Sequence, residues 1–468
     1  MTQSIVPSQS PEPEPERPLF HTGWLESYRP KTPEEKSAER RARWGEDAEP
    51  AESRTVDPTV WTDGEGSLRF SAAQRGRLGL IPKTEYRVEE VADGFVFRRV
   101  DPALTKVIVE PTSACNLNCR TCVRHSWDEP IGSMPFALFE RLAEGLRAVP
   151  TLRTVAFWGL GEPLCHPDIV RMVELAHGLG ARTELITNAM LLSRDMAEAL
   201  ILAGLDKIVV SVDGATPEVQ ADVRSGSSLE QARRNMLQLR HSRDELSRDN
   251  PEVAIEFVAM RRNLHELPSL RHLAYQIDAR QIIVTGVLPY TPELVEETLY
   301  GYKAGTIAGT RSSWEPEIVL PLMDARHDAL EPVVRLLEHT SSLSRIPRGR
   351  KGADGYCRFV GEGTAAVCWN GIVGPCIALM HSYTSYANGR EKRMKRYDLG
   401  NVGDMPIGEI WAKEEYRAFR RHVLDFDFAP CTDCGGCELA LSNEADCFGN
   451  TFPVCGDCLW AKGVIQCP

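Results

Sequence analysis

The sequence predicts an α/β fold in two parts, a partial (β/α)6 barrel followed by a loop-rich, cysteine-rich C-terminal domain. Between residue 104 and about 290, six short apolar runs rich in β-branched residues alternate with stretches that repeat apolar residues at helical spacing. Strand and helix repeated in that way build a parallel sheet covered by helices. Of 14 cysteines none precedes residue 115, whereas ten crowd between 357 and 467, where bound metal can stand in for part of an apolar core. The remaining bounds agree: 468 residues allow several domains, and 42% apolar with 26% charged residues describes a globular chain. A net charge of −12 argues against a nucleic-acid partner. No run approaches the roughly 18 apolar residues of a membrane span, and the start lacks a basic region followed by an apolar one. The expectation is a cytoplasmic chain with neither a membrane nor a nucleic-acid partner.

Residues 1–60 are expected to be a disordered Pro/Glu-rich tail, since the first 50 hold eight prolines and only four aliphatic residues heavier than Ala. A short β lead-in over 61–103 follows. The barrel is expected over 104–325, with strands at KVIVEP, TVAFWG, TELIT, KIVVSVDG, VAIEFVAM and QIIVTGV. The intervening helices include FALFERLAEGLRAV, IVRMVELAHGLG and SLEQARRNMLQLR. A linker over 326–350, with one helix around DARHDALEPVVRLLEH, leads to the cysteine-rich domain at 351–468. In such a sheet, functional residues belong where strands end and loops begin.

The first of those ends carries Cys115, Cys119 and Cys122, a C-x3-C-x2-C on a loop. Thiolates ligate iron-sulfur clusters, and three at this spacing can hold three corners of a cubane, leaving one iron open to a substrate or cosubstrate. Zinc is the competing metal, but it asks for a fourth ligand, and the nearest, His125, is separated from Cys122 by only two residues.

This pattern resembles the radical S-adenosylmethionine (SAM) superfamily, whose triad follows the first strand of a partial (β/α)6 barrel. Further strand ends repeat the resemblance: Gly159-Leu160-Gly161-Glu162-Pro163, Thr187-Asn188, Ser211-Val212-Asp213-Gly214, and Gly286. It implies that Cys115, Cys119 and Cys122 ligate a SAM-cleaving [4Fe-4S] cluster, and that Gly161, Glu162, Thr187, Asn188, Ser211, Asp213 and Gly286 shape the cosubstrate site. It also implies a 5′-deoxyadenosyl radical as the hydrogen-abstracting species, and an electron donor such as ferredoxin or flavodoxin. Thr121 stands where family members often have an aromatic residue.

The C-terminal domain is similar to the family's SPASM extension, which implies one or two auxiliary [4Fe-4S] clusters. Cys357, thirteen residues, then Gly371 and Cys376 match its first half, with Cys368 as a further possible ligand. The second half departs from the usual spacing, with Cys431, Cys434, Cys437, Cys447, Cys455, Cys458 and Cys467. Ten cysteines exceed the eight that two fully ligated cubanes need. TSACNLNCRTCVRHSWDEPIGSM and DCFGNTFPVCGDCLWAKGVIQCP resemble the maturases of tungsten-cofactor oxidoreductases, which implies a tungsten oxidoreductase as protein substrate. Two other readings stay open: radical oxidation, dehydration or epimerisation of a small metabolite such as an aminosugar, and a non-enzymatic iron-sulfur electron carrier. The open-corner triad and the strand-end motifs speak against the carrier. Cys165 reads as a small buried residue, and the run from Arg390 to Arg396 as a solvated turn. Met380, His381 and Tyr383 are a further group that can face the barrel mouth.

Overall fold

The computed structural model describes residues 101–300 and 355–467, except 388, 430 and 432–436, with short segments at 61–62, 68–70, 86–91, 94–99, 304–305, 317–321, 323–324, 327–337 and 344–345. The expected tail over 1–60 and Cys434 lie outside the described residues. Two compact units divide the chain between Pro82 and Lys83. In the first, Trp61–Thr62 pairs antiparallel with Leu68–Arg69. The second opens with an antiparallel hairpin, Tyr86–Val91 against Gly94–Arg99, and contains everything that follows.

Six parallel strands neighbour one another in chain order: β1 (Lys106–Val109), β2 (Thr154–Phe157), β3 (Arg182–Thr187), β4 (Lys207–Ser211), β5 (Glu252–Ala259) and β6 (Ala279–Gly286). Their register, Lys106 opposite Thr154 and Thr154 opposite Arg182, brings all six C-terminal ends to one rim. Val107 to Val109 and Val155 to Phe157 are buried without alternation, as expected of strands covered on both faces. The helices supply that cover. α1 (Phe136–Arg147) buries Phe139, Leu142, Ala143 and Leu146, and α2 (Ile169–Gly178) buries Ile169, Met172, Val173 and Ala176, the same i, i+3, i+4, i+7 stripe. Each large side chain so buried contributes roughly 1.5–3 kcal/mol. α3 (Arg194–Leu202) begins where the Ser193 hydroxyl accepts the Met196 N–H at 3.2 Å.

The sheet is longer than the six strands expected. β7 (Glu317–Val319) and β8 (Ser344–Arg345) extend it past β6, and at the other edge β9 (Thr364–Val367) pairs parallel with β1 before β10 (Val373–Gly374) closes antiparallel on β9. The segment expected as a linker thus carries a sheet strand besides its expected helix, His327–Leu337, whose Val333 and Leu336 are fully buried. The cysteine-rich region is likewise continuous with the barrel: Ala365, Val367, Ile377, Leu399 and Trp411 share one core with β1 and α1. Gly363 makes that junction possible. Its φ is +71°, and a Cβ there would meet the Ala103 carbonyl oxygen at 1.8 Å.

The chain end returns to the rim of the barrel. Gly286 N–H donates to the Val464 carbonyl at 3.0 Å, and Gln466 N–H donates to Thr285 Oγ1 at 2.8 Å. The basic run expected as a solvated turn is instead the second strand of a hairpin, Tyr383–Ala387 against Arg390–Met394. Its Lys392 is buried because Nζ meets both Asp457 oxygens at 2.6 and 2.7 Å.

Candidate active site

One cavity opens at the strand rim, lined by Cys115, Cys119, Cys122, Gly161, Glu162, Thr187, Asn188, Ser211 and Gly286. The three thiols lie on the loop after β1, where the Cys122 N–H donates to the Cys119 carbonyl and the Leu117 N–H points at Cys115 Sγ, 3.4 Å away. Arg124 closes the loop, with Nε 3.2 Å from Cys122 Sγ and one Nη 2.8 Å from the Ser113 carbonyl. Burial pushes the Cys119 thiol up to about 11 and the Cys115 thiol upward as well. Three thiols gathered on one loop next to a guanidinium suit a bound cationic centre that takes them as thiolates.

The loop after β2 is clamped onto this one. A Cβ on Gly161 would meet the Thr112 carbonyl at 2.1 Å, so only glycine fits, and Glu162 N–H donates to the Ala114 carbonyl at 2.8 Å. The Glu162 carboxylate is buried and accepts from Thr187 Oγ1 at 2.6 Å, Asn188 N–H at 2.8 Å and Leu164 N–H at 3.1 Å. Burial raises its pKa, and these hydrogen bonds oppose the rise. Glu162 therefore ties β2 to the end of β3 as well as facing the cavity. Asn188 Nδ2 reaches Asn116 Oδ1 at 2.9 Å, which ties β3 to the cysteine loop.

Asp213 does not line the cavity. It is fully buried behind it, where Oδ2 pairs with Arg224 Nε at 2.7 Å and Oδ1 accepts the Val258 N–H at 2.8 Å. Arg224 is the group that reaches the cavity wall. With it stand Glu256, Thr285 and Gln466, which lie outside the strand-end motifs. Burial pushes the Glu256 carboxyl up to about 7, against the pull of Arg224, and Ser211 is hydrogen-bonded to it. A glutamate inside the otherwise apolar run VAIEFVAM was the signal for it; Gln466 gave none, because it reaches the cavity only through the returning chain end.

The C-terminal cysteines separate into groups. Cys357, Cys376, Cys455 and Cys458 line a second cavity together. Burial pushes Cys357 up to about 12 and raises the other three, and neighbouring thiols add to the rise for Cys357, Cys376 and Cys455. Four thiols lining one cavity match in number the ligand set of one cubane. Cys431 has Cys447 as a neighbour, and Cys437 and Cys447 are exposed. The buried Lys392–Asp457 pair adjoins both Cys431 and Cys458. Two thiols expected with the auxiliary ligands are placed elsewhere. Cys467 lines the barrel cavity, because the chain end returns there, and accepts from Trp460 Nε1 at 3.1 Å. Cys368 faces Glu110 and His381, because β9 carries it to the end of β1. Cys165 is half-buried, 4.0 Å from Asn116 Oδ1, with its thiol pushed up to about 11 by burial.

Residues 109–262 match the radical SAM superfamily, and residues 357–438 match the iron-sulfur cluster-binding domain SPASM. The chain is 30% identical over 364 residues to the tungsten-containing aldehyde ferredoxin oxidoreductase cofactor-modifying protein of Pyrococcus furiosus, covering 77% of this chain and 96% of that one. It is 25% identical over 352 residues to the AdoMet-dependent heme synthase of Oleidesulfovibrio alaskensis, covering 72% and 81%. With the PqqA peptide cyclase of Rhodopseudomonas palustris it shares 34% identity over 185 residues, 39% of this chain and 47% of that one. Among the described residues, no helix is long and apolar enough to cross a membrane. The chain belongs to the radical SAM superfamily, as an enzyme that uses S-adenosylmethionine with a [4Fe-4S] cluster and carries auxiliary iron-sulfur clusters in a SPASM domain.

Proposed function

We propose that this enzyme matures a tungstopterin oxidoreductase, modifying either the polypeptide or the cofactor of that protein. The observation that carries the reading is the 30% identity to the Pyrococcus furiosus cofactor-modifying protein over 96% of its length. Cys115, Cys119 and Cys122 hold the SAM-cleaving cluster in this reading, and Cys357, Cys376, Cys455 and Cys458 hold one auxiliary cluster. Cys431, Cys434, Cys437 and Cys447 supply the thiols for another. Gly161, Glu162, Thr187, Asn188, Ser211 and Gly286 shape the cosubstrate pocket, and Asp213 contributes by aiming Arg224. The donor is a small electron carrier such as ferredoxin or flavodoxin, and the reaction takes place in the cytoplasm.

When bound, the reduced cluster supplies the electron that splits S-adenosylmethionine into methionine and a 5′-deoxyadenosyl radical. The chain's own groups supply the rest. Arg124 offsets the charge gathered at the cysteine loop. Arg224, kept cationic by Asp213, offers an anchor to an anionic group in the cavity. Glu256, with its carboxyl at about 7, can hold or give up a proton at neutral pH. Trp158, Trp460 and Ile465 give the same cavity an apolar stretch of wall.

The test is to incubate the reduced enzyme and S-adenosylmethionine with a tungsten oxidoreductase produced in cells lacking this enzyme, and to weigh both the polypeptide and the extracted pterin. A SAM-dependent mass change in either supports maturation. The polar wall of Arg224, Glu256 and Gln466 favours the second reading, a small polar metabolite such as an aminosugar. Turnover of such a compound, with no mass change in the oxidoreductase, would establish that reading instead.

A further inference from the structure

Outside the cavity, the end of β1 meets the C-terminal domain in a buried cluster that neither the cosubstrate site nor the thiol groups use. Glu110, Cys368 and His381 are 0%, 1% and 1% exposed, and one ligand atom from each lies within 4.8 Å of the others. His381 Nε2 is 2.8 Å from Glu110 Oε2, and Cys368 Sγ is 3.4 Å from that oxygen and 3.8 Å from Nε2. Each ligand is itself held. Glu110 Oε1 accepts the Leu160 N–H at 2.9 Å, and Gly159 leaves it room, since a Cβ there would meet Glu110 Cγ at 2.4 Å. His381 Nδ1 is bound to Glu129 Oε2 at 2.7 Å, and Glu129 Oε1 accepts the Ser382 N–H at 2.7 Å. Trp127 packs edge-on against the imidazole, with ring centroids 4.4 Å apart.

We propose that Glu110, Cys368 and His381 bind a divalent transition metal of the zinc type, and that the metal fastens the SPASM domain to the barrel. The buried donors are a thiol, a carboxylate and an imidazole, the set that a zinc-type ion takes. With Nδ1–H donated to Glu129, the Nε2 lone pair faces Glu110 and Cys368, which is the carboxylate–histidine–metal arrangement that orients a ligating imidazole. Metal-ligand distances of about 2.0–2.3 Å put the edges of a tetrahedral site at roughly 3.3–3.7 Å, so the Sγ–Oε2 edge already fits, the Sγ–Nε2 edge closes by about 0.1 Å and the Nε2–Oε2 edge opens by about half an ångström. Binding would release the Cys368 thiol proton and the proton between His381 and Glu110. Three protein ligands leave one position for water.

The test uses the full chain with its iron-sulfur clusters reconstituted anaerobically, equilibrated with zinc chloride and desalted. Wild type should retain about one zinc per chain, and Cys368→Ala and His381→Gln should each lower it at least fivefold with iron content unchanged. Zinc X-ray absorption on wild type should show one sulfur near 2.3 Å with nitrogen and oxygen neighbours near 2.0–2.2 Å. No retained zinc, equal zinc in iron-replete variants, or a four-sulfur shell would overturn the proposal. If the variants lose their iron and so fail to fold, the wild-type spectrum alone decides between the one-sulfur and four-sulfur outcomes.

Discussion

Glu256→Gln isolates the charge that the barrel wall suppresses. The wild-type carboxyl sits at about 7 against 4.5 in the open chain, because burial disfavours its charged form more than Arg224 favours it. A raised carboxylate keeps its proton in the folded state at pH values where the unfolded chain has lost it. The fold is therefore unaffected by this group below 4.5, loses stability as pH rises from 4.5 to 7, and carries the full penalty above 7. A difference of about 2.5 pH units is worth roughly 3.4 kcal/mol, and between pH 6 and pH 8 about 1.3 kcal/mol of it develops. Gln has the same shape and no such titration. Thermal unfolding of the holoenzyme at closely spaced pH values should show wild type falling about 1–4 °C further than Glu256→Gln between pH 6 and pH 8. Parallel profiles would show that Glu256 is ionised in the fold at pH 6 and refute the burial argument.

Three other outcomes follow from the same geometry. Glu162→Ala should weaken cosubstrate binding by roughly 1.5–3 kcal/mol in a calorimetric titration, since it removes a charge-assisted contact and leaves the Asn188 and Leu164 N–H groups without their acceptor. Replacing Cys357 and Cys376 together should remove about four irons per chain and abolish product, while 5′-deoxyadenosine still forms. Lys392→Met should leave the Asp457 charge buried and unpaired, costing about 3–5 kcal/mol, read as a lower unfolding midpoint with loss of auxiliary-cluster absorbance.

Much of the barrel was legible because its strands and helices state their periods plainly: KVIVEP and TVAFWG as continuous apolar runs, α1 and α2 as stripes. That the triad and the Gly161-Glu162 loop share one cavity was legible because each motif lies in nearly consecutive residues at a strand end. Contacts made between distant segments were not. β9 is four residues among cysteines, and only its parallel pairing with Lys106–Val109 makes it part of the sheet. Cys467 and Gln466 look like a chain end until Val464 pairs with Gly286. Asp213 carried the expected motif, yet its carboxylate turns away from the cavity to hold Arg224, a residue 11 positions later that no spacing marks. Cysteine count alone likewise could not distinguish the four clustered thiols from Cys368, whose neighbours come from β1 and from the segment before the basic hairpin.

Chromatographic measurement of 5′-deoxyadenosine tests the central claim most directly. The anaerobically reconstituted enzyme, given dithionite and S-adenosylmethionine, should form 5′-deoxyadenosine and methionine in equal amounts. The Cys115→Ala/Cys119→Ala/Cys122→Ala variant should form none while keeping about eight irons in its auxiliary clusters. Cleavage that survives loss of those three thiols, or a wild type that leaves the cosubstrate intact, would contradict the assignment of the barrel rim as the site of radical generation.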